Sequence, residues 1–303
     1  MSSAAISFPI LGSWSICPPN SFTLFGHTFY WYGVIIACGF LLAVSYAYSR
    51  CERDFGITQN DLTDVLLFGV PLGIIGARIY YVVFFGHYSS LADMVKIWEG
   101  GLAIYGGIIA AVITVIVVCR VKKISWLAVM DVISFGFLIG QCIGRWGNFM
   151  NREAFGYETD IFCRMGLTLD GTTVYVHPTF LYESLWNFVG FIALHIFSKK
   201  VERKFDGQYF LMYVAWYGLG RVWIEGLRTD SLYIAGTNIR VSQLIAGVTF
   251  LVATALIVWI LRRGKYSPDK LFVNKAAAPS EADESAGQVA PAESGGDDSS
   301  AAL

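Results

Sequence analysis

The sequence predicts an all-α integral membrane protein with seven transmembrane helices. The first observation behind this prediction is composition: of the 303 residues, 55% are hydrophobic and only 15% are charged, whereas average soluble domains carry roughly 25% charged residues. A soluble protein of this length would have too few polar side chains to cover its surface. The apolar stretches are also continuous, which disfavours a β-barrel built from ~10-residue alternating strands.

The second observation is a set of seven apolar stretches, each near the ~20 residues with which a helix crosses the hydrocarbon core of a bilayer. They run at about 30–49, 62–85, 101–119, 126–144, 179–197, 207–226 and 241–261. Each stretch is expected to form one transmembrane helix.

The third observation is the distribution of Lys and Arg, which sets the orientation of the chain. Basic residues occur in alternate connections between the stretches, namely Arg50 and Arg53; Arg120, Lys122 and Lys123; Lys199, Lys200, Arg203 and Lys204; and Arg262, Arg263 and Lys265. Cytoplasmic loops of membrane proteins carry the excess of basic residues. The pattern therefore predicts an N-terminus outside the cell and a cytoplasmic C-terminus.

The chain divides into three parts. Residues 1–29 lack a basic n-region and a cleavage-site pattern, so we expect an external N-terminal segment rather than a removable signal peptide. Residues 30–262 form the seven-helix transmembrane domain, which holds every candidate functional residue. Residues 263–303, rich in Ala, Ser, Gly, Pro and acidic residues, form a cytoplasmic tail that we expect to be disordered.

Composition also excludes several classes of function. The net charge is -1, and no basic excess points to a nucleic-acid partner. The six cysteines form no C-x-x-C pair and show no metal-ligand spacing. We therefore expect no metal and no cofactor.

Three arginines break the apolar pattern in the outward half of the membrane. Arg78 lies inside the second stretch, Arg145 follows the fourth, and Arg221 lies near the end of the sixth. An intramembrane Arg costs about 2.5–3.5 kcal/mol at the bilayer centre and less near an interface, so a partner or a function must offset it. Guanidinium groups at headgroup level suit a phosphate, because each presents a planar fork of donors.

An alternative is that these arginines only pair with acidic side chains and hold helices together. Arg221 and Glu225 are spaced i, i+4 on one helix face and can form such a pair. Arg78 has Glu99 or Glu153 as candidate partners. The positive charges outnumber the obvious partners at that depth, which favours an anion site.

Glycines and further polar residues surround these arginines in five segments. In chain order they are Tyr32-Gly33; Gly76-x-Arg78-x-x-Tyr81; Gly144-Arg145-x-Gly-Asn148-Phe-x-Asn151-x-Glu153-x-x-Gly156; His177-Pro178-x-x-Leu181-Tyr182-Glu183; and Arg221-x-x-x-Glu225-x-x-Arg228-x-x-Asp230. Taken together, the segments resemble the prolipoprotein diacylglyceryl transferase family. The resemblance covers roughly residues 22–262 and leaves out the acidic tail.

The resemblance implies an enzyme of the bacterial cytoplasmic (inner) membrane with its active site towards the outer leaflet. Such an enzyme transfers the sn-1,2-diacylglyceryl group of phosphatidylglycerol to the thiol of the lipobox cysteine of prolipoproteins, forming a thioether and releasing glycerol phosphate. This transfer is the first step of bacterial lipoprotein maturation. The implied partners are phosphatidylglycerol, other membrane lipid and prolipoprotein signal peptides with a lipobox cysteine.

The resemblance also implies site residues, carried over by position. Arg145 would bind the lipid phosphate, with Arg221 beside it. The substrate-binding candidates are Arg145, Arg221, Asn148, Asn151, Gly156, Arg78 and His177, and the catalytic candidates are Glu153, Glu225, Tyr105, Tyr32 and Asn148.

Two positions depart from the family pattern. Tyr105 stands in the glycine-flanked segment of the third stretch where many members have a histidine, and Arg152 stands where glycine is common. The substrate thiol, with a pKa of ~8.5, must lose its proton to become the nucleophile. We expect Glu153, Glu225 or Tyr105 to take this proton, while the arginines hold the leaving phosphate.

Two other classes of function could use the same arginines. A transporter or channel for a small anion would be expected to place charges near the bilayer midplane and to show discontinuous helices and a repeat. A non-catalytic lipid-binding or assembly protein would not need the segment from Gly144 to Gly156. The charges gather at the outer side and no repeat is visible, so the transferase is the favoured hypothesis.

Overall fold

The computed structural model describes residues 5–12, 14–86, 90–97, 100–169, 171–234 and 236–277. A long helix covers each of the seven predicted stretches, and the described residues also form two short α-helices and two 3-10 helices, Pro9–Leu11 and Pro268–Lys270. In chain order the helices are α1 (Trp31–Phe55), α2 (Gln59–Phe84), α3 (Leu91–Met94), α4 (Ile104–Lys122), α5 (Trp126–Asn151), α6 (Thr179–Lys200), α7 (Gln208–Leu227), α8 (Val241–Arg263) and α9 (Phe272–Ala277).

Six helices of the described residues are long and apolar enough to cross a membrane, with mean hydropathies from 1.3 for α6 to 2.6 for α8. The protein is therefore a mostly helical, multi-pass integral membrane protein. The helix α7 is not among the six, because its charged, aromatic and glycine residues lower its hydropathy. The seven-span count and the orientation stay predictions.

Local sequence sets where the helices begin and end. The hydroxyl groups of Thr58 and Ser125 accept hydrogen bonds from the backbone N–H of Asp61 and Ala128, and so cap the starts of α2 and α5. Gly56 follows α1 with a φ of 70°, the left-handed conformation in which helices commonly end. The short turn between α1 and α2 results from these two signals.

The helices pack in two groups. In one group α1, α6 and α7 pack on α5, and α8 packs on α7. In the other, α2 and α4 pack on each other at a glycine contact, where a Cβ atom on Gly76 or on Gly106 would overlap the facing helix. Small residues of this kind let two helix backbones approach closely in a membrane.

The largest buried cluster lies at the end of the bundle that carries the basic clusters, called here the basic end. Its members include Phe55, Leu62, Cys119, Phe135 and Tyr209, from α1, α2, α4, α5 and α7. This apolar cluster joins the two helix groups at the basic end. The polar residues of the candidate site lie towards the opposite end.

Short strands lie at that opposite end, called here the sheet end. In chain order they are β1 (Ala5–Ser7), β2 (Ser15–Ile16), β3 (Ser21–Leu24), β4 (His27–Tyr30), β5 (Met165–Leu169) and β6 (Thr172–Val176). The strands β3 and β4 form a hairpin, and the other four form an antiparallel sheet in the order β2-β1-β5-β6, with Ile6 opposite Leu167. Ile6, Val176 and Phe180 belong to a buried apolar cluster that fixes the sheet to the start of α6.

The structure differs from the sequence prediction in two places. The all-α prediction omits the strands, because runs of two to five residues leave too little periodicity to identify. The predicted tail begins at residue 263, whereas α9 follows α8 with Leu271 buried and with Phe272 N–H donating to Asp206 Oδ2 at 3.1 Å. Residues 278–303 of that tail lie outside the described residues.

Candidate functional site

Glu183 joins Arg145 and Arg221 in a cluster called here the arginine–carboxylate triad. Arg145 Nη2 lies 2.5 Å from Glu183 Oε1, and Arg221 Nη1 lies 3.1 Å from Glu183 Oε2. Each carboxylate oxygen therefore accepts a hydrogen bond from a different guanidinium group. The Glu183 side chain is 4% exposed, against 22% for Arg145 and 16% for Arg221. The arginines thus form the more open side of the triad.

Three helices bring the triad together near the sheet end. Arg145 lies in the last two turns of α5, and Glu183 lies in the second turn of α6, which runs antiparallel to α5. Arg221 lies two turns before the end of α7, and its Nη2 atom is 2.7 Å from Glu225 Oε2. The predicted pairing of Arg221 with Glu225 is confirmed. These ion pairs offset part of the cost of placing two arginines among apolar helices.

The connection between α7 and α8 holds Glu225 in place. Ser231 Oγ donates a hydrogen bond to Glu225 Oε1 at 2.9 Å, and Arg240 Nη1 donates to the main-chain oxygen of Glu225 at 2.9 Å. Glu225 is 2% exposed. Its carboxylate therefore orients Arg221 from the buried side of the cluster.

The end of α5 extends the triad with two amides and a second carboxylate. Arg145 Nη1 donates to Asn148 Oδ1 at 3.2 Å, and Asn148 Nδ2 donates to Glu153 Oε1 at 2.9 Å. Asn151 Nδ2 donates to the same Glu153 oxygen at 3.3 Å. Arg152, with a φ of 57°, ends α5 and turns the chain so that Glu153 lies back over its last turn. The structure therefore brings Asn148, Asn151 and Glu153 together beside Arg145.

Two glycines bring further predicted residues against this cluster. A Cβ atom on Gly147 would lie 2.7 Å from the ring of Tyr32, so the ring rests directly on the α5 backbone. A Cβ atom on Gly156 would lie 2.6 Å from the carbonyl oxygen of Leu227 and 2.7 Å from His177 Cβ. Both contacts require a residue without a side chain, which explains why glycine occupies these positions.

His177 lies at the start of α6, apart from the triad in its own contacts. Its Nδ1 atom is 3.3 Å from Tyr182 Oη, and its carbonyl oxygen accepts a hydrogen bond from Gly156 N–H at 2.9 Å. Burial lowers the pKa of the His177 imidazole from its ordinary value. These contacts tie the connection after α5 to the first turn of α6.

Arg78 has a different setting from the other two predicted arginines. Its guanidinium donates to the carbonyl oxygens of Asp93, Met94, Gly100 and Gly101, at 2.6–3.0 Å. It therefore holds the connection between α2 and α4. Of its two predicted partners, Glu153 accepts hydrogen bonds from amides instead, and the other, residue 99, lies outside the described residues.

Tyr105 lies in the first turn of α4 and is 38% exposed. Its helix packs on α2 through Gly106 and Gly76. Among the hydrogen bonds of the described residues, none joins Tyr105 to the triad. The structure therefore brings eight of the eleven predicted residues into one contiguous region around α5, α6 and α7, adds His177 at its edge, and leaves Tyr105 and Arg78 on the other helix group.

Glu183 is the central residue of this cluster, although it is not among the site residues predicted from the sequence. It stands in the quoted segment His177-Pro178-x-x-Leu181-Tyr182-Glu183, inside a predicted span. An acidic residue one turn into an apolar span is itself a signal, because burying a carboxylate without a partner is costly. That signal could have named Glu183 as the partner of the two arginines.

Fold and site together define a multi-pass membrane protein in which two arginines from separate helices converge on one buried carboxylate. The sequence model described as "Prolipoprotein diacylglyceryl transferase" matches residues 19–259. The chain belongs to the prolipoprotein diacylglyceryl transferase family.

Several bacterial relatives named phosphatidylglycerol--prolipoprotein diacylglyceryl transferase are similar over most of the chain. The protein of Finegoldia magna is 46% identical over 228 residues, which cover 75% of this chain and 89% of the relative. The protein of Geobacillus kaustophilus is 44% identical, covering 78% of this chain and 90% of the relative. A Clostridium perfringens protein of the same name, numbered 1, is 39% identical, covering 84% of this chain and 99% of the relative.

Proposed function

We propose that this protein transfers the diacylglyceryl group of phosphatidylglycerol to the thiol of a prolipoprotein lipobox cysteine, forming a thioether and releasing glycerol phosphate. The observation that carries the proposal is the triad, in which one carboxylate holds two guanidinium groups side by side. The names of the relatives supply the two substrates. No resident metal or cofactor is needed for this reaction.

The lipid phosphate binds on the more open side of the triad. Each guanidinium group has five N–H donors, and Glu183, Glu225 and Asn148 take only some of those on Arg145 and Arg221. The remaining donors suit the oxygens of a phosphodiester, which arginine binds through two parallel hydrogen bonds. Asn151 and Gly156 shape the adjoining wall.

The same contacts favour the transition state of the transfer. The cysteine sulfur forms a bond to glyceryl C3, the bond between C3 and the phosphate oxygen breaks, and the phosphate leaves with one more negative charge. Because this charge grows as the bond breaks, fixed guanidinium groups stabilise the transition state more than the bound lipid. Arg145 and Arg221 thereby accelerate the step rather than only binding the substrate.

The thiol proton passes to a group beside the triad. Among the described residues, the side-chain hydrogen bonds to Glu153 come from the neutral amides of Asn148 and Asn151, whereas Glu225 is ion-paired with Arg221 and buried. Glu153 is therefore the favoured acceptor of the three candidates. Tyr105 makes no hydrogen bond to the triad among the described residues, and Tyr32 lines the pocket through its contact with Gly147.

The proposed site faces the outer leaflet of the bacterial cytoplasmic membrane. Basic residues lie in the last turns of α1, α4, α6 and α8, and positive charge is retained on the cytoplasmic side. With α7 as the seventh span, the sheet end and the triad lie outside, and the C-terminus lies inside. Phosphatidylglycerol and the signal peptides of prolipoproteins would meet the site there.

The test uses purified protein, phosphatidylglycerol vesicles and a synthetic lipobox peptide, with the product identified by mass spectrometry. We expect a diacylglyceryl mass on the peptide, and none on a matched peptide whose cysteine is serine. Glycerol phosphate should appear in equal amount. An absent adduct from folded, lipid-bound protein would overturn the proposal, and uptake of an anion into proteoliposomes would then favour transport.

A further inference from the structure

Two tryptophans join α6 to α7 by reciprocal hydrogen bonds. Trp186 Nε1 donates to the main-chain oxygen of Trp216 at 3.0 Å, and Trp216 Nε1 donates to the main-chain oxygen of Trp186 at 3.0 Å. The two indole rings are stacked, with centroids 4.4 Å apart and ring planes 19° from parallel. These two residues are called here the tryptophan pair. Because each indole N–H needs one particular carbonyl group of the other helix, the pair sets the register of α6 against α7.

A glycine on each helix makes room for the indole of the other. Gly190 follows Trp186 by four residues on α6, and Gly220 follows Trp216 by four residues on α7. A Cβ atom on Gly190 would overlap the Trp216 indole, and a Cβ atom on Gly220 would overlap the Trp186 indole. A shift of either helix by one residue would therefore break both hydrogen bonds and bring a side chain under an indole.

The tryptophan pair lies about one turn further into the bundle than the contact between Glu183 and Arg221. Trp186 follows Glu183 by three residues, so both lie on one face of α6. Trp216 precedes Arg221 by five residues on α7, which runs antiparallel to α6. Gly220, beneath the Trp186 indole, directly precedes Arg221. The register that the pair sets is therefore the one that places Glu183 Oε2 3.1 Å from Arg221 Nη1.

Three side-chain hydrogen bonds join α6 to α7 among the described residues. Two belong to the tryptophan pair, and the third is the bond from Arg221 to Glu183. Arg221 also pairs with Glu225 on its own helix at 2.7 Å, so it would keep a partner if α6 moved away. The tryptophan pair is thus the contact that can hold Glu183 against Arg221 when Glu225 competes for the same guanidinium group.

We infer that Trp186 and Trp216 are positioning residues of the triad. By fixing the register of α6 against α7, they keep Glu183 within reach of Arg221 and hold the two guanidinium groups at one spacing. Interhelical hydrogen bonds and close packing at small residues are the contacts that associate helices in a membrane, where lipid tails are as apolar as the helix surfaces. The effect of the pair on transfer rests on the proposed function, whereas its effect on the triad does not.

Thermal unfolding in detergent micelles tests the inference without reference to the reaction. The double variant Trp186→Phe/Trp216→Phe keeps two aromatic rings but loses both N–H donors. Because the ion pair between Glu183 and Arg221 is already weakened in this variant, Glu183→Gln should lower its unfolding midpoint by about half as much as it lowers that of the wild type. A merely structural role of the tryptophans would leave the two losses equal, and that result overturns the inference.

The diacylglyceryl transfer assay supplies the second measurement. The double variant should be about tenfold slower per folded molecule, because a displacement of about 1 Å in a site can cost up to 10²-fold. Trp259→Phe makes the same substitution at an exposed tryptophan of α8 and should leave the rate unchanged. An unchanged rate in the double variant, with the wild type active, overturns the inference, whereas an inactive wild type contradicts the proposed function and leaves the unfolding measurement to decide. Should the double variant fail to fold, Trp186→Phe alone, which retains one of the two hydrogen bonds, replaces it with a smaller effect in the same direction.

Discussion

The carboxylate of Glu183 holds the guanidinium groups of Arg145 and Arg221 on its two oxygens, at 2.5 and 3.1 Å. One negative charge on α6 thereby fixes the spacing of two positive charges that come from α5 and α7. Each guanidinium group keeps N–H donors that Glu183 and Glu225 do not occupy, so the cluster can still bind an anion. Glu183 thus holds the two arginines together in a single site.

Replacing Glu183 with Gln should destabilise the protein by about 3 kcal/mol, the lower end of the range for breaking a buried ion pair, because both arginines are partly exposed. The thermal unfolding midpoint in detergent micelles measures this effect. Glu202→Gln, at an exposed position beyond α6, serves as the matched control and should change little. An equal effect of the two substitutions would contradict the central position of Glu183.

Replacing Arg145 with Ala should lower the rate of diacylglyceryl transfer by about 10²–10³-fold, as expected for the loss of a donor to developing negative charge. Arg145→Lys keeps the charge but loses the planar fork, so it should restore only part of the rate. The measurement is product formation by mass spectrometry, with folding checked by thermal unfolding. Near-normal transfer by folded Arg145→Ala would remove Arg145 from the mechanism.

Replacing Gly147 with Ala should displace the Tyr32 ring, because the new Cβ atom would lie 2.7 Å from it. Displacing a residue by about 1 Å in a site can cost up to 10²-fold in rate. Gly140→Ala on the same helix is the control, since a Cβ atom there meets nothing within 4 Å. Transfer rates of the two variants should therefore differ strongly, and similar rates would show that the Tyr32 contact has no functional weight.

Replacing Arg78 with Gln should loosen the connection between α2 and α4, because Arg78 donates to four of its carbonyl oxygens. Hydrogen–deuterium exchange followed by mass spectrometry should show faster uptake at residues 90–97 and 100–103. Arg120→Gln, at an exposed arginine near the end of α4, should leave that uptake unchanged. If Arg78→Gln instead left exchange as it was and weakened phosphatidylglycerol binding, Arg78 would be a lipid ligand as the sequence analysis expected.

The stability of the protein should depend on pH through His177. Burial lowers the pKa of this imidazole in the folded state, so the unfolded chain binds a proton more readily and stability rises with pH. The contribution is fully present above the unfolded pKa of about 6.5 and is lost as pH falls from there through the lower folded pKa. The unfolding midpoint of His177→Gln should vary less between pH 8 and pH 5 than that of the wild type. His27→Gln, at an exposed strand position, is the control and should keep the wild-type dependence.

Helix positions were readable from sequence because most of the spans are long, continuous apolar runs, with basic residues at the ends of α1, α4, α6 and α8. The site was partly readable for the opposite reason, since charged residues such as Arg145 and Arg221 are conspicuous in apolar helices. Their common partner was harder to assign, because the contact between α6 and the other two helices depends on helix register. Spans alone do not specify that register.

Arg78 shows where sequence reasoning met its limit. Its position in an apolar span looks the same on paper as that of Arg145, yet it donates to four main-chain carbonyl oxygens, contacts that a sequence does not reveal. The strands were missed for a related reason. They are short, and in the sequence β1 is separated from its partner β5 by the helices α1 to α5. No local sequence pattern therefore predicts this pairing.

The pairing of β1 with β5 has a consequence for biogenesis. A ribosome makes β1 about 160 residues before its partner β5, which appears only after α5 has been made. At roughly 5–20 residues per second, that delay is on the order of ten to thirty seconds. During this interval the first strand has an unsatisfied edge, and the sheet can close only when α5 is in place. Sheet closure is therefore a late step of assembly, at the end of the bundle where the arginines meet.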